Sequence, residues 1–215
     1  MSDPDLSQPA APEPEPPSAG PPNRGPLYRS AWSFYLVLAS AGLLWLGFSR
    51  GDLELSYFLP FPDGWIDLAL GAATAVGLVV LWRGSRLVFP VLRELERTLR
   101  RVLGPLDGSQ AFVLAFISGF AEEVFFRGAM TASWGWIWAT LIFTVIHTGP
   151  GREVRAWTAF AFVAGLAFAA LEHFRANLLG AMTAHFLVNW IQLRYLGAPP
   201  PAAGRGEEAA AAAGR

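Results

Sequence analysis

Three apolar segments of this sequence carry polar side chains that could do chemistry. The run FVLAFISGFAEEVFFRGAM contains Glu122, Glu123 and Arg127. The run IWATLIFTVIHTGPG contains His147, and NLLGAMTAHFLVNWIQL contains a histidine and an asparagine four residues apart, at positions 185 and 189. An ionisable group at the centre of an apolar helix costs about 2.5–3.5 kcal/mol on insertion scales. Such groups therefore need a specific role.

The spacing of these groups indicates which of them pair with each other and which are left for catalysis. Glu123 and Arg127 stand at i and i+4, which predicts an ion pair on one helix face. Glu122 points about 100° away around the helix and has no partner of its own there. A carboxylate in that position has the chemistry of a general base. His185 and Asn189 project from one face, where they could either join helices or contact a substrate.

A carboxylate, two imidazoles and a carboxamide form the set needed to activate a water molecule and to stabilise an oxyanion. We therefore expect Glu122, His147, His185 and Asn189 to converge on one site, although they belong to three different helices. The remaining histidine, His173, falls between two apolar segments, and we expect it in a solvated loop without a role in the site.

The elements that position these groups are predicted from composition and apolar run length. The chain of 215 residues is 53% hydrophobic and 15% charged, with a mean hydropathy of +0.36, whereas soluble domains carry about 25% charged residues. Backbone groups in lipid must be satisfied within each segment, so the spans are helices. We predict an all-α polytopic bundle of about six transmembrane helices, over residues 31–48, 65–82, 109–132, 134–148, 156–171 and 176–196.

Two of these segments have special features. The segment ending at His147 would advance about 20 Å as a helix, less than the ~30 Å hydrocarbon core, which places His147 below the membrane surface. From Arg86 to Val102, leucine and valine recur at helical spacing and arginines take the other face. That pattern predicts an amphipathic helix lying at the membrane interface.

Arginine distribution predicts orientation, since all 16 basic residues are Arg. With the N-terminus in the cytoplasm, most of them fall on the inner side, including the amphipathic segment. We therefore expect a multi-pass protein of a bacterial inner (plasma) membrane with both termini cytoplasmic. No basic run resembles a nucleic-acid surface, so the expected partners are the lipid bilayer and not nucleic acid. The absence of Cys excludes thiolate nucleophiles and disulfides.

These observations divide the chain into four segments. Residues 1–30 are a Pro-rich tail that we expect to be disordered. Residues 31–108 hold two transmembrane helices and the cytoplasmic amphipathic helix, and residues 109–196 hold the core that carries the polar groups described above. Residues 197–215 are rich in Ala and Gly, and we expect a second disordered tail there.

The polar motifs resemble a known family. EEVFFRG at 122–128 matches the EExxxR motif of the CAAX-processing and bacteriocin-immunity (CPBP) type of intramembrane proteases. Phe143 to His147 matches that family's FxxxH motif, and His185 to Asn189 matches its HxxxN motif. The three motifs occur in the family's order, and the resemblance covers about residues 109–196. It implies an intramembrane endopeptidase that hydrolyses a peptide bond of a membrane-associated protein or peptide.

The resemblance also implies a role for each matching residue. Glu122 and His147 would activate the hydrolytic water, while His185 and Asn189 would stabilise the oxyanion. The same motifs supply three supporting positions, namely Glu123, Arg127 and Phe143. The Arg-only, Ala-rich composition fits the myxosortase-like branch of the family, which processes C-terminal sorting tails, although composition does not identify a substrate.

Cofactor and function each leave an alternative open. Glu122, His147 and His185 could form a His₂Glu zinc set, but no HExxH helix is present, so we predict no cofactor and keep zinc as the alternative. A non-catalytic membrane protein of the same fold, binding a partner or conferring immunity, is the second functional class. A proton-coupled transporter is disfavoured, because the segments show no inverted repeat.

Overall fold

The computed structural model describes residues 26–198, with side-chain surroundings from residue 28 onward. Its helical elements are α1 (Pro26–Arg50), α2 (Leu55–Phe58), α3 (Gly64–Val88), α4 (Pro90–Leu103), α5 (Gly108–Glu122), a π-helical segment (Glu123–Met130), α6 (Thr131–Trp134), α7 (Trp136–Ile146), α8 (Arg152–Arg175) and α9 (Leu179–Gly197). No strand occurs within the described range. The prediction of an all-α fold is therefore confirmed.

Four helices are long and apolar enough to cross a membrane by length and composition. They are Tyr28–Arg50, Gly64–Val88, the continuous stretch Gly108–Trp134, and Arg152–Arg175. The outward faces of these helices expose large apolar side chains, among them Phe34, Leu44, Val76, Val80 and Phe116. The chain is thus a membrane protein, as its composition predicts. The other two predicted crossings, α7 and α9, are not among these four helices. Helix α7 has only 11 residues, and α9 carries the polar groups of the HxxxN motif.

The amphipathic helix begins four residues later than predicted. The segment from Arg86 was expected to belong to it, but α3 continues to Val88, Phe89 is extended, and α4 starts with Pro90. Proline disfavours the helical conformation in the residue before it and is well suited to the first turn of a helix. The two faces of α4 nevertheless follow the prediction. Leu92 and Leu95 are buried on its inner face.

Helix α9 occupies the centre of the bundle, against α3, α5 and α8. Two glycines allow its closest neighbours to approach. A Cβ at Gly71 of α3 would lie 2.5 Å from the carbonyl oxygen of Gly180, and a Cβ at Gly119 of α5 would lie 3.0 Å from the backbone nitrogen of Phe186. These close contacts bring the polar face of α9 against the glutamate end of α5.

The tails fall largely beyond the described range. Helix α1 begins at Pro26, inside the segment predicted as the N-terminal tail. Residues 1–25 of that tail and residues 199–215 of the C-terminal tail lie outside the described residues. The division of the chain into four segments stays a prediction.

Candidate active site

The side chains singled out from the sequence lie around one cavity of about 110 Å³. Glu122 from the end of α5, His147 from just after α7, and His185 and Asn189 from α9 all line it. Apolar and aromatic side chains form the remaining wall, which includes Phe143, Trp157, Phe160, Phe168 and Val188. A small group of polar atoms therefore faces a common space inside an apolar bundle.

The two adjacent glutamates stand where the helix changes type. Glu122 is the last residue of α5, and Glu123 is the first residue of the π-helical segment. The hydroxyl of Thr131, just beyond that segment, donates to the carbonyl of Phe126, five residues earlier, at 3.0 Å. Short π-helical turns inside α-helices are frequent at functional sites. Here Glu122 faces His147, whereas Glu123 faces His185 and Arg127.

Glu122 and His147 form the first polar pair. The Nδ1 of His147 lies 2.6 Å from the carbonyl oxygen of Phe143. Because a carbonyl only accepts, Nδ1 must carry the hydrogen. The other nitrogen, Nε2, lies 3.9 Å from Oε2 of Glu122. That Oε2 atom is buried and has no hydrogen-bond partner within the described part of the chain. Hydrogen bonds of about 2.8 Å would let one water molecule reach both atoms.

His147 is held in place by its neighbours. The ring of Phe143, one turn earlier, lies 4.4 Å from the imidazole between centroids. The Thr158 hydroxyl of α8 donates to the carbonyl oxygen of His147 at 3.0 Å. Phe143 also lies under the Arg127 guanidinium, 4.3 Å from its centroid. It therefore contacts both a cavity residue and one of the buried charges.

Glu123, Arg127 and His185 form the second polar group. The predicted Glu123–Arg127 ion pair is present, with Nη1 of Arg127 3.2 Å from Oε1 of Glu123. The same Oε1 lies 2.6 Å from Nδ1 of His185. Arg127 also donates through Nη2 to the carbonyl of Gly165 at 3.1 Å. The imidazole of His185 stacks on Phe168 at 5.0 Å. With Nδ1 engaged, Nε2 is the ring nitrogen of His185 left for other partners.

Asn189 is oriented by a residue that sequence reasoning missed. Its Nδ2 donates to the hydroxyl of Ser118 at 2.9 Å, and Ser118 donates to the carbonyl of Ala115 at 3.2 Å. An amide carries two N–H donors, so one remains for another acceptor. A signal for this residue does exist in the sequence. Ser118 precedes Glu122 by four residues and so shares its helix face.

A second missed residue, Tyr35, comes from α1. Its hydroxyl is close enough to the Glu122 carboxylate to interact with it, and its side chain lines the cavity. Tyr35, Trp157 and Asn189 also line a neighbouring cavity of about 240 Å³ that reaches α4. Nothing in the motifs indicates Tyr35. His173 is exposed and does not line the cavity, although it lies in the last turn of α8 and not in the expected loop.

The histidines and carboxylates do not form an evident metal site. Within residues 26–198, no three His, Cys, Asp or Glu side chains are arranged to hold a metal ion. One nitrogen of His185 is already engaged by Glu123. A His₂Glu zinc set would have to use the other nitrogen together with Glu122 and His147. The prediction that no cofactor is needed stays a prediction.

Comparisons with known proteins support the resemblance in the motif-bearing segment. Residues 106–191 match the family model described as Rce1-like, type II CAAX prenyl endopeptidase Rce1-like. The chain is also 32% identical over 87 residues to the uncharacterized protein YpbD of Bacillus subtilis (strain 168), a stretch that covers 38% of this chain and 44% of YpbD. The chain thus spans less than half the length of that relative. No solved structure gives a significant match. All three motifs fall inside the matched residues, whereas Tyr35 falls outside them.

Proposed function

We propose, from the match of residues 106–191 to the Rce1-like family, that this chain is an intramembrane endopeptidase acting on a membrane-associated protein or peptide. One geometric observation carries the proposal. A buried carboxylate oxygen of Glu122, without a hydrogen-bond partner in the described residues, lies 3.9 Å from Nε2 of His147. Both atoms face a cavity within an apolar bundle. This is the arrangement that a water-activating pair requires.

In the proposed reaction, a water molecule lies between Glu122 and His147. Glu122 takes a proton from the water while His147 orients it, and the water oxygen bonds to the carbonyl carbon of the peptide. The carbonyl oxygen becomes a tetrahedral oxyanion. When the C–N bond breaks, the proton held by Glu122 passes to the leaving nitrogen, and the products are a carboxylic acid and an amine.

His185 and Asn189 are the proposed donors to the oxyanion. Asn189 has one amide hydrogen beyond the one it gives to Ser118. His185 can donate to a substrate only through Nε2, because Nδ1 is already hydrogen-bonded to the Glu123 carboxylate. This role therefore requires a hydrogen on Nε2 of His185 while the Nδ1 contact to Glu123 is maintained. Donors of this kind are typically worth about 10²–10³ in rate each.

Glu123, Arg127 and Phe143 are proposed to support the site without touching the substrate. Glu123 fixes the ring of His185 and compensates the charge of Arg127. Arg127 in turn ties the π-helical segment to the carbonyl of Gly165 in α8. Phe143 packs between Arg127 and His147. These contacts hold the two histidines in fixed positions relative to Glu122.

The proposed protease is tested by comparing processed membrane proteins. We compare cells that carry the wild-type chain with cells that carry Glu122→Gln, at matched protein abundance. The control is His173→Ala, which changes an exposed histidine outside the cavity. We expect one or more membrane proteins to accumulate uncut in the Glu122→Gln cells only. If Glu122→Gln cells process every membrane protein normally, the cluster serves a non-catalytic partner-binding or immunity protein instead.

The substrate and the orientation are two further proposals, and cysteine labelling tests the orientation. We propose a C-terminal sorting tail as the substrate, of the kind that the myxosortase-like branch processes. We also propose residence in a bacterial inner membrane, with α4 and both termini on the cytoplasmic side, because most arginines then lie inside. A cysteine introduced at Ser109 of this Cys-free chain should resist impermeant reagents added from outside. Labelling from outside would reverse the orientation.

A further inference from the structure

Three guanidinium groups converge on one aromatic ring, at the end of the bundle where α4 lies. Arg83 and Arg86 come from the end of α3, Arg100 from α4, and the ring belongs to Tyr195 of α9. The guanidinium carbons of Arg83, Arg100 and Arg86 lie 3.9, 4.5 and 5.5 Å from the ring centroid. Each contact is a cation–π interaction. The three like charges nevertheless repel one another.

One carboxylate, that of Glu96, faces this cluster in the described structure, and it already has three polar partners. Glu96 of α4 accepts from the indole Nε1 of Trp82 at 3.1 Å. It also pairs with Nε of Arg86 at 3.2 Å and accepts from the Tyr195 hydroxyl at 3.4 Å. Three cations thus face one anion. Among the described residues, no other carboxylate forms an ion pair with these three arginines, so the cluster holds an excess of positive charge.

Donor groups in the cluster remain available to a ligand. Arg100 uses Nη1 for the carbonyls of Leu196 and Ala198, at 2.9 and 3.2 Å. Arg83 has no hydrogen-bond partner between residues 26 and 198, so none of its five N–H donors is used by that part of the chain. Its guanidinium is nevertheless held by the ring of Tyr195. A guanidinium fixed in this way is prepared for bidentate binding of a phosphate.

The surroundings of the cluster indicate where such a phosphate would come from. The cluster lies at the ends of α3 and α9, beside the amphipathic helix α4. Leu87 and Val88, which follow Arg86 in the chain, are among the most exposed apolar side chains, at 83% and 69%. Apolar surface for acyl chains and cationic groups for a headgroup therefore occur together. Anionic lipids attract basic groups at such an interface.

We propose that Arg83, Arg86 and Arg100, arranged on Tyr195, bind the phosphate of an anionic phospholipid. The site is separate from the candidate active site and does not depend on the proposed protease function. It has a structural consequence for that site. Glu96, Leu99 and Leu196 line the cavity of about 240 Å³ that borders the active-site cavity. A bound headgroup would fix α4 and the end of α9, and with them one wall of that neighbouring cavity.

The test measures lipid binding to the full-length chain, purified in detergent and stripped of lipid. Phosphatidylglycerol is titrated back and the bound lipid is counted by native mass spectrometry, with phosphatidylcholine as the zwitterionic comparison. Arg83→Gln should weaken phosphatidylglycerol binding about ten- to hundredfold, the range of one charge-assisted hydrogen bond. Arg97→Gln removes the same charge from the exposed face of α4. It should cost about fivefold or less, as diffuse attraction does.

A second variant separates the site from general positive charge. Tyr195→Leu keeps all three arginines but removes the ring that arranges them, and it should also weaken phosphatidylglycerol binding by tenfold or more. Equal losses in Arg83→Gln and Arg97→Gln would overturn the proposal, because they would indicate diffuse attraction alone. Inorganic phosphate binding as tightly as the lipid would also overturn it, in favour of a free-anion site. Thermal unfolding of each variant checks that the fold is retained.

Discussion

The buried Glu123–Arg127 pair allows a quantitative test of how this fold tolerates charge. The two side chains are 0% and 1% exposed. Removing one partner of a buried pair costs about 3–5 kcal/mol, because the other charge is left uncompensated. In Glu123→Gln, Arg127 keeps its hydrogen bond to Gly165 and its contact with Phe143. We therefore expect the lower end of that range, about 3 kcal/mol of unfolding free energy.

Arg127→Met should cost a similar amount, because Glu123 would then lie buried beside His185 without the arginine. The double variant Glu123→Gln/Arg127→Met leaves no uncompensated charge. It should lose about 2 kcal/mol, well below the roughly 6 kcal/mol sum of the single changes.

Detergent-induced unfolding, followed by the fluorescence of the nine tryptophans, would measure all three variants. The control is the pair of exposed changes Glu94→Gln and Arg101→Met in α4, which lie about 10 Å apart along the helix and should be additive. If the single changes at Glu123 and Arg127 cost under about 1 kcal/mol each, or if their sum equals the double variant, the argument from buried charge is wrong.

Four further predictions follow from the site and its packing. Glu122→Gln should lower cleavage of a reconstituted substrate about 10²–10⁴-fold at unchanged thermal stability, since it removes the base but keeps the shape; retained cleavage would exclude Glu122 as the base. In the same cleavage assay, Asn189→Ala should cost about 10²–10³ in rate, and Ser118→Ala should cost less, because Ser118 only orients Asn189. Gly71→Ala should destabilise the fold, because its Cβ would lie 2.5 Å from a backbone oxygen, whereas Gly77→Ala on the same helix meets nothing within 4 Å and should be neutral or slightly stabilising in a thermal-unfolding comparison. Treatment with a metal chelator should leave cleavage unchanged, and loss of cleavage restored by zinc would favour the His₂Glu alternative.

Much of the site could be predicted from the sequence, because polar groups are rare in apolar helices and each one is conspicuous. The Glu123–Arg127 pair follows from i,i+4 spacing alone. The start of α4 at Pro90 could also have been predicted from the sequence, since proline rarely follows a helical residue. The amphipathic pattern continues across the break between α3 and α4, so the pattern by itself does not indicate where one helix ends and the next begins.

Other features depend on contacts between helices, which no local pattern encodes. The bond from His185 to Glu123 joins residues 62 positions apart, and that from Asn189 to Ser118 joins residues 71 positions apart. Tyr35 reaches the cavity from α1, outside the segment that carries the motifs. The π-helical geometry of Glu123–Met130 has no signature in residue type.

The length of α7 has a consequence for the surrounding lipid. Its 11 residues advance about 16 Å, roughly half of a ~30 Å hydrocarbon core. Local thinning of the bilayer is one way to accommodate such a hydrophobic mismatch. With such thinning, the aqueous phase beside α7 would lie closer to His147 than the average membrane thickness allows. A thicker host bilayer would lengthen the route by which water reaches the cavity, so membrane thickness would affect the water supply for the proposed hydrolysis.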